Sequence, residues 1–213
     1  MRLLVRFFRQ EVRNSNVLFS LGLYLLGVSY LIYLLSGSTP SNSAWNTLLW
    51  VVVFFGSLQL SSRSFEFESG PHFYYFQTIA NAKHTIIAKM LFNVVYMMFL
   101  SMATWGVFSV FFGNPVYNTV LFFIGLILGA TGFSVVLTLT SGIAHRTKGN
   151  SILGAILAIP LLFPVLQITS AINLQAIVGV TLTDAANLLG TLVALDMGIG
   201  LLAYLLFPYL WQD

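Results

Sequence analysis

The sequence contains no cysteine, which removes disulfide frameworks, thiolate zinc sites, iron–sulfur clusters and CxxC redox pairs together. Charge is nearly as scarce. Only 7% of the 213 residues are Asp, Glu, Lys or Arg, against about 25% in soluble domains. Nine basic and six acidic side chains cannot cover the surface of a 23.6 kDa globule, so most of that surface must face lipid. The pI is near 9.3, but the basic residues are too few and too scattered for a phosphate-binding stripe, which excludes nucleic acid. No GxxxxGK run followed by Ser or Thr occurs, so the chain lacks a loop of its own to cradle nucleotide phosphates. No low-complexity tract, Pro-rich linker or internal repeat divides it.

What is abundant is apolar surface: 58% of the residues are hydrophobic and the mean hydropathy is +0.89. A hydrocarbon core of roughly 30 Å takes about 20 apolar residues at 1.5 Å each. Six charge-poor stretches of that length are present, at 17–37, 44–62, 90–112, 119–142, 151–172 and 188–210. They show no polar–apolar alternation over ten positions, so they read as helices rather than barrel strands. The fold class expected is an all-α integral membrane protein with six transmembrane helices, residues 1–213 forming one transmembrane domain. Between the spans, Arg2, Arg6, Arg9 and Arg13 precede the first, Arg63, Lys83 and Lys89 follow the second, and Arg146 and Lys148 follow the fourth. The loops at 38–43, 113–118 and 173–187 hold no Lys or Arg. That asymmetry predicts both termini in the cytoplasm. The arginine-rich start and long first apolar segment predict no cleavable leader.

At 100° per residue, Arg2, Arg6, Arg9 and Arg13 fall within an arc of about 60°, with Leu4, Phe8 and Glu11 roughly opposite. Residues 1–16 therefore read as an elbow helix lying in the interface, its arginines reaching anionic lipid headgroups; a positive tail that only sets topology is the plainer alternative. Residues 63–89 form the one cytoplasmic connection too long to be a simple turn. Here Glu66 and Glu68 precede the break Ser69-Gly70-Pro71, and Phe73, Tyr74, Tyr75 and Phe76 follow it. Acids beside exposed aromatics suit a protein docking surface, while an aromatic belt at headgroup level is the alternative.

An amphipathic elbow, two spans, a segment with acids before Gly70, Lys89 nineteen residues later and four further spans resemble the membrane subunits of ABC exporters. More narrowly, the chain resembles the CcmB family, haem exporter protein B of cytochrome c maturation. The stretches that carry the likeness are Glu68-Ser69-Gly70 to Lys89, residues 129–146 and Pro160 to Leu166. It departs from the family pattern after Gly70, where Pro71 and His72 lead into 77–81 without proline. The resemblance implies an ABC exporter permease-like fold and a non-catalytic bacterial inner-membrane subunit, with ATP bound by a separate ABC ATPase. It further implies a haem-handling membrane subunit and a periplasmic haem chaperone as partners, and haem as cargo. Glu66, Glu68, Gly70, Phe73, Tyr74 and Phe76 become the expected ATPase-coupling residues. An autonomous secondary transporter or channel is the alternative, though it would usually need inverted repeats.

No catalytic constellation or metal site is expected. His72, His84 and His145 are the only imidazoles and map to cytoplasmic connections, as haem ligands or, more simply, as interfacial side chains. Gly125 and Gly129, with Gly132 and Ser134 beyond them, permit close helix approach, either inside one subunit or against a second copy of the chain. Pro160 and Pro164 each remove a backbone donor and should kink the fifth span. Asp196 is the one acid inside a span; lipid exposure would cost it at least about 2.5 kcal/mol, so it should face protein or water, as a hydrogen-bonded structural acid or, as the alternative, in a transporting or proton-relay role.

Overall fold

In hydrocarbon every backbone N–H and C=O must pair within its own segment, so long apolar stretches fold as helices. The computed structural model describes residues 15–36, 40–63, 82–146 and 151–211, and every regular element among them is an α-helix. In chain order these are α1 (Ser15–Ser36), α2 (Asn42–Arg63), α3 (Ala82–Phe112), α4 (Thr119–Arg146), α5 (Ser151–Val178) and α6 (Ala186–Trp211). The chain is an all-α integral membrane protein. Five of these helices are long and apolar enough to cross a membrane. The sixth, α2, has spanning length, about 33 Å at 1.5 Å per residue. It is more polar because Asn42, Ser43, Asn46, Thr47, Ser57 and Gln59 interrupt it.

Local hydrogen bonds fix the described helix ends beside the connections without basic residues. Ser41 starts α2, its carbonyl accepting from Trp45 N at 2.8 Å and its hydroxyl from Ala44 N at 3.3 Å. Gly113 ends α3 at φ +81°, and Gly179 ends α5 at φ +90°. At α5 the Val180 N–H reaches Gln175 O at 3.0 Å and the Gly179 N–H reaches Ala176 O at 3.3 Å. This paired closure requires the left-handed residue that glycine adopts without strain. Asn118 caps α4 through Oδ1, which accepts from Leu121 N at 3.1 Å.

Three helices outrun their expected spans, α4 by continuing from 142 to Arg146. α3 begins at Ala82 rather than near 90, and no proline falls between there and its end at Phe112. α5 continues to Val178 instead of ending at 172, and Asn173 is wholly buried within it. The expectation of an outer loop beginning at 173 is therefore corrected: Asn and Gln lower hydropathy without stopping a helix, and the stop is Gly179.

The helices pack in regular registers around α4. Gly125 meets Asn173, Gly129 meets Thr169 and Gly154 meets Ala144, so α4 and α5 are antiparallel. Thr131 meets Asp196 and Gly200 meets Val135, so α4 and α6 run parallel. Trp45 stacks edge-on to Phe108 at 5.9 Å, and Gly56 lies against Leu100, which makes α2 and α3 antiparallel. Trp45, Trp50, Phe108, Phe122 and Phe133 are fully buried at the centre. α1 packs on α2 and α3 and leaves Phe19, Leu23, Leu26 and Leu35 exposed, as a lipid-facing helix does.

Candidate functional site

The face of α4 that meets its neighbours is built from small and hydroxylated residues. Gly125 is buried against Asn173 Oδ1 and Ile172; Gly129 lies under Thr169, with Trp50 Cη2 2.8 Å from where a β-carbon would stand. Gly132 receives Asp196 Oδ1 on one side and Val165 Cγ1, 2.7 Å from the same position, on the other. Only glycine lets three helices converge so closely here. The face carrying Gly125 and Gly129 is thus filled from within the chain. Pro160 and Pro164 lie inside α5, which runs unbroken past both; Pro160 is exposed and Pro164 half-buried.

Most buried hydroxyls on this seam are satisfied locally. Thr104, Thr138, Thr140, Ser141 and Thr169 each bond the carbonyl four residues earlier in their own helix. A smaller set ties helices together. Ser134 Oγ donates to Met90 O at 3.0 Å and Asn93 Nδ2 to Thr138 Oγ1 at 2.8 Å, joining α3 to α4. Asn46 Nδ2 donates to both Ser170 O and Ser170 Oγ at 2.9 Å, joining α2 to α5. Interhelical bonds of this kind contribute on average about 0.6 kcal/mol in a membrane. Asn173 differs: both its amide atoms are buried with no hydrogen-bond partner among the described residues.

Asp196 sits half-buried at mid-length of α6. Its Oδ2 lies 3.1 Å from Thr131 Oγ1, and the same hydroxyl lies 2.7 Å from Leu128 O. Its Oδ1 is buried without a hydrogen-bond partner among the described residues. The sequence singled out Asp196, Gly125 and Gly129, with Gly132 and Ser134 beyond them; it did not single out Thr131, Asn46, Asn93 or Asn173. The last three are amides within apolar stretches, a signal available in the sequence and passed over. Among the described residues no three His, Asp or Glu side chains gather to hold a metal ion.

The elbow with Arg2, Arg6, Arg9 and Arg13 lies outside the described residues. So do Glu66, Glu68, Gly70, His72, Phe73, Tyr74 and Phe76. His84 falls in the first turn of α3 and His145 in the last turn of α4. The frame around the coupling segment is described: α2 ends at Arg63, α3 begins at Ala82, and the two are packed antiparallel, so residues 64–81 join two neighbouring helices at one end of the bundle.

Over residues 1–206 the chain matches the family described as CcmB protein. It belongs to the CcmB family. No curated protein and no solved structure matches it. Membership in the CcmB family implies a membrane permease-type subunit of the haem exporter ABC system of cytochrome c maturation, in keeping with a multi-pass bundle. In this CcmB-family chain the glycine and hydroxyl seam on α4 is the built feature of the membrane region.

Proposed function

We propose that this chain is the membrane-spanning subunit of an ATP-driven ABC complex that supports haem delivery for cytochrome c maturation, with hydrolysis on a separate ATPase. The family match across 1–206 carries the reading. The absence of a nucleotide loop from the sequence and the antiparallel α2–α3 frame around residues 64–81 support it. The cytoplasmic side is the one toward which the Lys and Arg residues cluster, eight in or beside its connections and the ninth, Lys89, buried farther along α3, in a bacterial inner membrane with both termini inside. An ATPase shifts a conformational equilibrium only through contacts that differ between the states. Glu66 and Glu68 pair with its basic groups, Gly70 turns the chain, and Phe73, Tyr74 and Phe76 fill a groove on it. The elbow arginines hold the first span to anionic headgroups. A haem-handling membrane subunit and a periplasmic haem chaperone complete the complex, and haem is its cargo.

Truncating a buried aromatic anchor commonly costs about 2 kcal/mol, roughly thirtyfold in affinity. Purified from native membranes, the chain should bring its ATPase with it, and Glu66→Ala, Glu68→Ala and Phe73→Ala combined should release or uncouple that ATPase while leaving insertion intact. A triple variant that keeps a bound, stimulated ATPase and full cytochrome c maturation overturns the coupling assignment and leaves the aromatics as a membrane belt.

A further inference from the structure

The contacts of Asp196 do not balance if it is a carboxylate. Thr131 has one hydroxyl proton and two oxygens within reach, Leu128 O at 2.7 Å and Asp196 Oδ2 at 3.1 Å. The carbonyl, shorter and in the same helix, takes that proton. The 3.1 Å approach between Thr131 Oγ1 and Asp196 Oδ2 is then best made with a second proton, and among the described residues the carboxyl is the group placed to supply it. Asp196 Oδ1 points the same way: it is buried against the Gly132 backbone with no hydrogen-bond partner among the described residues. The carbonyl oxygen of a neutral acid tolerates such a position far better than half of a carboxylate charge in hydrocarbon.

We propose that Asp196 is a proton-binding site inside the membrane, held as the neutral acid and donating its own proton to Thr131 Oγ1, which donates in turn to Leu128 O. The chain Asp196 to Thr131 to Leu128 fastens α6 to α4. Removing the proton leaves a carboxylate facing a hydroxyl whose hydrogen is already committed, so the α4–α6 seam carries a proton as part of its structure. The inference stands on hydrogen-bond geometry and is independent of the ATPase reading.

Every helix packed against α6 bears on this protonation. α5 contains no titratable residue. α4 has only His145 and Arg146, about 21 Å along the axis from Thr131 at 1.5 Å per residue. α3 contributes Lys83 and His84 in its first turn and the buried Lys89 and Tyr96. Lys89 adjoins Met90, whose carbonyl accepts from Ser134, so it belongs to the turns of α4 that follow Thr131. α6 itself adds Tyr204 and Tyr209.

The test is infrared spectroscopy of the full chain in lipid bilayers at neutral pH, with carbon-13 in the carboxyl groups of aspartate. Asp184, Asp196 and Asp213 are the only aspartates, and Asp184 is exposed. The expected result is the carbonyl stretch of a protonated carboxylic acid, moved by the label and lost in Asp196→Asn. Thr131→Val keeps the acid and removes its acceptor, so the same band should persist and shift to higher frequency; this arm decides the matter even where Asp196→Asn fails to fold. A label that moves carboxylate bands alone, or a band unchanged in Thr131→Val, overturns the proposal.

Discussion

At the scale of single residues, the consequence of a glycine depends on what stands where its β-carbon would be. A methyl group at Gly132 would meet both Asp196 Oδ1 and Val165 Cγ1, whereas Gly198, on α6, has no atom within 4 Å of that position. Gly132→Ala should therefore lower stability by about 1–3 kcal/mol through overpacking. Gly198→Ala should change it by less than about 0.5 kcal/mol or raise it slightly; thermal unfolding of both variants in one detergent compares them directly. Asp196 allows a second comparison. Asn at 196 can donate an amide proton to Thr131 Oγ1 as the neutral acid does, and Leu cannot. We expect Asp196→Asn to accumulate in membranes and support cytochrome c maturation, and Asp196→Leu to fall short in both; equal loss in the two would make ionisation, and not hydrogen bonding, the requirement at this position.

At the scale of elements, the N-terminal end of α4 is held by one side chain serving two partners. Asn118 Oδ1 caps the helix at Leu121 N, and its Nδ2 donates to Val180 O at 2.9 Å, across to the connection after α5. The backbone N–H of Asn118 reaches Ala176 O at 2.9 Å as well. Losing an N-cap to Ala costs about 0.5–2 kcal/mol, and Ser keeps the capping oxygen without reaching Val180. Stability should fall in the order wild type, Asn118→Ser, Asn118→Ala, read from melting of the purified chain. Equal melting of the two variants would mean that the bond to Val180 contributes nothing beyond the cap.

At the scale of the whole molecule, the connections fall on two sides. Those at 37–41, 113–118 and 179–185 carry no Lys or Arg, and the Asn118–Val180 and Asn46–Ser170 bonds bring the start of α2, the start of α4 and the end of α5 to one end of the bundle. The chain has no native cysteine, so introduced ones report without background. Cysteines at Ser41, Asn114 and Thr183 should react with an impermeant thiol reagent added outside, and those at Ser69 and Asn150 should not. Cysteine at Asn173 should stay unreactive because that position is wholly buried in α5. Labelling at Ser69 and Asn150 instead would invert the orientation and place the 63–89 segment out of reach of any cytoplasmic ATPase.

The fold class was legible along the chain because a bilayer acts on each segment separately. Twenty apolar residues need no knowledge of their neighbours to become a helix, and the side on which Arg and Lys cluster is counted loop by loop. Segment ends were less legible: hydropathy fell at Asn173 while the helix continued to Val178, because backbone hydrogen bonding ends at a left-handed glycine and not at the first amide. The partners were not legible at all. Nothing in the linear order says that Asp196 meets Thr131 and Gly132, 65 and 64 positions earlier in the chain, or that Asn46 reaches Ser170. Those pairings follow from which helices run parallel and in what register, and register is set by how small residues on α4 let α5 and α6 approach. The presence of an acid within a span was written in the sequence; only the packed bundle decided which hydroxyl faces it.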